Sequence, residues 1–210
     1  MAAYGSNRLA ASRKIIAPVA FAGLALLAPA SASAHIAKSL SLGVGGGFLH
    51  PLSGPDHLLA MISVGLWGAF LGRPLIYLLP VIFPTVMAVG GVLGMAGVPF
   101  PPVELGIAIS VIVLGVAILT RWAAPVWLAC VIVGIFGLFH GYAHGMELPS
   151  MANPIGFSLG FVIATGLLHV LGIVIGMIRD RPGGEVALRA VGGLVTLSGL
   201  WFLYAAIATA

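Results

Sequence analysis

Apolar residues dominate this chain in long runs, and its polar residues fall into a few short groups. An apolar run of about 18 residues or more is long enough to cross a bilayer as a helix. Read in order, the pattern predicts membrane helices over Ser39–Leu71, Leu75–Met95, Val103–Leu119, Pro125–Gly145, Ile155–Ile178 and Val186–Ala208. The first stands apart. As one straight helix it would be about 50 Å long at 1.5 Å per residue, against a hydrocarbon core of ~30 Å. Pro51, Gly54 and Pro55 lie inside it, and proline removes a backbone donor and clashes with the preceding turn. The pattern therefore predicts a first span broken at residues 51–55, with Asp56 placed to cap the helix that restarts toward Trp67. Broken backbone at membrane depth is tolerated only where protein or a watery cavity surrounds it. The break itself thus marks a candidate site.

Residues 1–34 have the shape of a secretory signal: Arg8, Arg13 and Lys14 precede a short apolar core, Ile15 to Leu27, and Ala32-Ser33-Ala34 follows as a cleavage site. An uncleaved first span is the alternative reading. Cleavage would leave residues 35–210 as one transmembrane permease domain beginning at His35 outside the cytoplasm.

Composition fixes the class. Of 210 residues, 60% are hydrophobic and 7% charged, where a soluble domain carries roughly 25% charged residues. The expected fold is an all-α, polytopic membrane protein of about six transmembrane helices, and its first partner is the lipid bilayer. The net charge of +4 rests on arginines scattered singly between apolar runs, which argues against nucleic acid as a partner. They read better as topology signals. With the mature N-terminus outside, Arg73, Arg121, Arg179, Arg181 and Arg189 fall in or beside inner connections and Lys38 outside. This asymmetry predicts a multi-pass protein of the bacterial inner membrane with both mature termini in the periplasm. Thirty glycines suit close helix packing in lipid; oligomeric state, a homo-oligomer included, stays open. Gly47-Phe48-Leu49-His50 in span one is echoed by Gly137-Leu138-Phe139-His140 in span four. Spans one to three and four to six could therefore be inverted-topology halves, or the echo could be chance.

Two polar groups carry the chemistry. His50, Asp56 and His57 flank the break, and Phe139-His140-Gly141-Tyr142-Ala143-His144-Gly145-Met146-Glu147 is the second group. His140 and His144 are four apart and Glu147 three further, so a helix puts all three on one face. Gly141 and Gly145 form a small-residue face beside it that admits a close neighbour, for which the broken first span is a candidate. Neutral imidazoles and carboxylates suit Ni²⁺, Co²⁺, Zn²⁺ or Cu²⁺, and ionisable groups inside a membrane are costly and usually functional. A proton relay and hydrogen-bonded packing histidines are the other readings. His169, inside span five, fits a lower-path ligand or packing equally well. Glu104 opens span three, where it fits a simple interfacial position or a part of the path. His35, freed by cleavage, could chelate through its amine and imidazole. Cys130 is the chain's one cysteine, so no internal disulfide or cysteine-based zinc site forms. The seven methionines are scattered, which speaks against a thioether copper ladder.

At these two motifs, His50-x₅-Asp56-His57 and Phe139-His140-Gly141-x-Ala143-His144-Gly145-x-Glu147, the sequence resembles the HupE/UreJ family of nickel permeases, accessory to hydrogenase and urease. The resemblance extends to the signal and the six-span layout. It implies movement of Ni²⁺, with Co²⁺ as a second ion, into the cytoplasm by facilitated diffusion for hydrogenase or urease maturation. It also implies functional roles for His50, Asp56, His57, His140, His144 and Glu147. The chain has no nucleotide-binding P-loop, which fits transport without direct ATP coupling. The rival classes are an intramembrane metal-dependent enzyme, or a metal sensor or assembly protein without transport. Against the enzyme, His140-Gly-Tyr-Ala-His144 lacks the glutamate of H-E-x-x-H.

Overall fold

The computed structural model describes residues 43–148 and 153–208. They form seven helices and no strand: α1 Gly43–Ser53, α2 Pro55–Leu71, α3 Leu75–Met95, α4 Val103–Thr120, α5 Val126–Glu147, α6 Pro154–Gly176 and α7 Gly184–Ala208, with a 3-10 turn Met177–Asp180 after α6. Among them α3, α4, α5, α6 with its 3-10 turn, and α7 are each long and apolar enough to cross a membrane, and α2 is a shorter apolar helix. The chain is a polytopic all-α membrane protein, as the apolar runs predict. The expected signal segment and His35 lie outside the described residues.

The first span breaks where its prolines and glycine require. Helix α1 ends at Ser53 and α2 restarts at Pro55, with Gly54 extended between them at φ −94°, ψ 109°. Pro55 has no N–H to offer the Pro51 carbonyl, and the Ser53 hydroxyl donates to the His50 carbonyl at 2.6 Å. Asp56 does not cap α2 in the expected way: Gly54 holds the cap position without a side-chain bond, and Asp56 sits inside the first turn. Its Oδ1 accepts the His57 N–H at 2.9 Å. Pro55 takes the first helical position, where its missing N–H costs nothing, and so pushes the acid one place inward. Helix α3 runs on through Pro80 and Pro84.

Glycine decides which helices touch. Cβ atoms on Gly137, Gly141 and Gly145 of α5 would run into the carbonyls of Phe83, Met87 and Gly91 of α3. In return, Cβ atoms on Gly90 and Gly94 would run into those of Leu138 and Tyr142. The two backbones are therefore in direct contact over two turns, side by side and running the same way. The neighbour of the Gly141/Gly145 face is α3, not the broken first span. That expectation fails because α3 brings its own glycines at matching spacing, and glycine against glycine permits the closest approach.

Helix α6 serves the broken span in the same manner. Gly160 sits against Val44 and Phe48, while Gly172 sits against Ile62 and Leu66 and Gly176 against Leu66 and Ala69. Helices α1 and α2 thus follow α6 in succession and in one direction, so together they make a single interrupted crossing. Helices α4 and α7 pair antiparallel through Gly115, Gly192 and Gly199.

A β-carbon at the α3–α5 contact has a backbone carbonyl, not a movable side chain, in its way. Ordinary overpacking costs about 1–3 kcal/mol, and here relief requires the helices to separate. Gly141→Val should abolish the monodisperse peak in fluorescence-detected size-exclusion chromatography. Gly166→Ala, where a Cβ meets nothing within 4 Å, should leave that peak as it is. A native profile for Gly141→Val would contradict the packing.

Candidate metal centre

Because its glycine face is held against α3, α5 turns the face carrying His140, His144 and Glu147 toward the break in the first span. Helix α1 ends there with His50 in its last turn, and α2 begins with Asp56 and His57 in its first. Side-chain exposure falls from 50% at Glu147 and 27% at His50 to 8% at His144 and none at His140. The cluster is therefore open at one end of the bundle and sealed inward.

At the open end, His50 Nε2 lies 3.1 Å from His144 Nδ1 and 3.2 Å from Glu147 Oε2, while His144 Nδ1 lies 3.6 Å from the same oxygen. Two ligands at ~2.0–2.1 Å from one ion stand roughly 2.8–3.4 Å apart in octahedral or tetrahedral geometry. The two separations from His50 Nε2 match that spacing and the third exceeds it slightly; the three atoms all lie within 4.8 Å of one another. Phe157 and Phe161 of α6 wall the triad, with ring centroids 5.2 and 5.9 Å from His50 and Phe161 at 4.4 Å from His144.

Behind the triad lies a second histidine group. The His57 ring sits 4.5 Å from that of His144 and 4.9 Å from that of His140. His140 Nδ1 lies 2.9 Å from the Phe136 carbonyl. A carbonyl only accepts, so Nδ1 carries the proton and Nε2 presents a lone pair inward. This is the arrangement that orients a ligating imidazole. His140 Nε2, His144 Nε2 and His57 Nδ1 are buried and make no hydrogen bond among the described residues. Buried polar atoms are normally partnered, so three unpartnered nitrogens in one place mark a candidate binding position.

Asp56 is not part of the triad. It lies within electrostatic reach of His57 and His140 and beside the opening. Glu104, in the first turn of α4, is exposed and within reach of both Asp56 and Glu147. Glu104 of α4 thus has carboxylates of two other helices, α2 and α5, within electrostatic reach. An acid at the start of a span is ordinary in sequence; the proximity of Glu104 to two other acids is a tertiary fact.

His169 on α6 is fully buried but separate. Phe83 of α3 stands between it and the cluster, 5.3 Å from His140 and 5.4 Å from His169, edge to face with both. The His169 ring faces the Pro80 carbonyl, which Pro84 has left without its helical donor, although neither ring nitrogen completes a hydrogen bond. Nothing in the sequence flags Phe83, one of ten phenylalanines.

A family model described as HupE / UreJ protein matches residues 19–202 of this chain. Protein HupE of Rhizobium leguminosarum bv. viciae is 44% identical over 129 residues, which cover 61% of this chain and 68% of that protein. No solved structure matches.

Removing one of three ligands should weaken binding of a divalent ion at least about tenfold, or ~1.4 kcal/mol. Equilibrium dialysis of the purified protein with Ni²⁺ should show this loss for His50→Ala and for His144→Ala. His169→Ala should bind as the native protein does. Native affinity in both triad variants would sink the assignment.

Proposed function

The chain belongs to the HupE/UreJ family, and on that premise we propose that it carries Ni²⁺ across the bacterial inner membrane into the cytoplasm by facilitated diffusion, with Co²⁺ as a second substrate and hydrogenase or urease maturation as its purpose. The observation that supports this reading most strongly is the meeting of His50, His144 and Glu147 at ligand spacing, at a backbone break, with unpartnered imidazole nitrogens behind them.

The path follows from the order of the groups. Asp56, Glu104 and Glu147 draw a hydrated cation to the opening, where exposure keeps their field moderate. The triad exchanges some of its water for two imidazoles and a carboxylate. His57 and His140 offer the next nitrogens, reached through His144, which faces both groups. Phe83 then closes the way, and His169 lies beyond it. A site built mainly of neutral imidazoles binds firmly enough to dehydrate the ion and weakly enough to release it. Divalent cations without a thiolate preference suit such a site, and affinity among them follows ligand type and geometry.

Arg73, Arg121, Arg179, Arg181 and Arg189 occupy the connections α2–α3, α4–α5 and α6–α7 or the turns beside them, the end of the bundle opposite the triad. The positive-inside rule supports reading that end as cytoplasmic, with the triad and the C-terminus on the periplasmic side. We read the centre as one for binding, not catalysis: the carboxylates stand at the opening, and no glutamate lies between His140 and His144 to activate water.

Uptake of ⁶³Ni by cells lacking other nickel importers tests this. His57→Ala and His144→Ala should reach the membrane at native levels, because polar contacts add only about 0.6 kcal/mol on average to helix packing in lipid. Both should lose most uptake. Asp56→Asn keeps the shape and removes the charge, so it should import more slowly, and His169→Ala should be milder. Native import rates in both histidine variants would overturn the proposal.

A further inference from the structure

The arginine-bearing end of the bundle holds a cavity of about 430 Å³, bounded by α2, α4, α7 and the 3-10 turn. Leu66 and Phe70 form an apolar wall, and Arg121, Arg179 and Arg189 face it with Glu185 at the start of α7. We propose that this cavity binds a phosphate oxyanion, carried by the head group of an acidic phospholipid or by soluble phosphate.

The arginines are held in place by separate means. Arg179 donates to the carbonyls of Ala69 and Phe70 at 3.4 and 2.7 Å and so caps the end of α2, while its Nε reaches Asp180 at 3.3 Å. Arg121, left-handed at φ 59° where α4 ends, pairs with Glu185. Arg189 donates from Nε to the Leu119 carbonyl at 3.0 Å and has no acidic partner among the described residues. Its terminal N–H groups therefore remain for the cavity. Three guanidiniums line one space against two carboxylates, Asp180 and Glu185, leaving an excess positive charge. The N-terminus of the 25-residue α7 opens at the same place and adds its own positive field.

Planar guanidinium forks match phosphate oxygens in pairs. A volume of this size is within the range of small-molecule sites, roughly 300–1,000 Å³. The apolar wall gives the glycerol and upper acyl carbons of a lipid a surface that an inorganic ion would not use. Basic pockets between helices at the inner face of a membrane protein are suited to such head groups. The metal centre plays no part in this reasoning, so each proposal stands or falls without the other.

Native mass spectrometry of the full chain in neutral detergent, given equal phosphatidylglycerol and phosphatidylcholine, tests the proposal. Phosphatidylglycerol should be retained at least about fivefold more strongly, and Arg189→Gln should lower its retention by about the same factor. Arg73→Gln, an exposed arginine outside the cavity, should not. Millimolar inorganic phosphate supplies the second arm. Displacement of the lipid, or a rise in melting temperature with phosphate alone, shows that soluble phosphate shares the site; a lipid preference that phosphate leaves untouched identifies the head group as the ligand. The proposal is overturned if the native protein retains both lipids equally and phosphate does not raise its melting temperature. It is also overturned if Arg73→Gln loses as much as Arg189→Gln, since the preference would then come from diffuse surface charge.

Discussion

Helix α5 lies against α3 backbone to backbone because Gly137, Gly141 and Gly145 present no side chains there and Gly90 and Gly94 present none in return. That contact fixes the rotation of α5 about its own axis. With an α-helix turning about 100° per residue, the positions just before Gly141 and Gly145 must point to one side, and those are His140 and His144. Glu147 follows on the same side. In lipid there is no hydrophobic gain from burying one apolar helix against another, so close van der Waals contact does the work. The same contact that holds the bundle together therefore aims the polar face.

What that face meets is a helix that has been interrupted. Had the first span continued through residue 54, its backbone would be saturated and its polar residues spread around the cylinder. Pro51, Gly54 and Pro55 stop α1 just past His50 and restart α2 just before His57. Two ends of one span, both fastened to α6 through glycine contacts, can then offer imidazoles to the same small volume. The cost of breaking helical hydrogen bonds at membrane depth is tolerable because protein surrounds the gap. This one break lets five scattered polar residues become an outer triad and an inner pair.

Much of this was legible in the sequence. Run lengths located the membrane helices to within a few residues, and proline chemistry located the break. Helical spacing alone put His140, His144 and Glu147 on one face. Three things were not legible. The partner of the Gly141/Gly145 face could not be chosen by pattern, because several helices carry small residues at four-residue spacing and only three-dimensional fit selects α3. Asp56 looked like a cap by residue type, yet Pro55 claims the first helical position and leaves the cap to Gly54. The division of the polar residues into an outer triad and an inner pair, with Phe83 beyond it, depends on distances and ring contacts that no local spacing encodes.

The central claim is that His50 from the broken span and His144 from α5 share one ion. Nickel K-edge X-ray absorption of the loaded protein reads this directly. The native protein should show a first shell of nitrogen and oxygen without sulfur, with the multiple-scattering pattern of at least two imidazoles. His50→Ala and His144→Ala should each lose one imidazole from it. Sulfur in the first shell, or an imidazole pattern unchanged in both variants, would contradict the account.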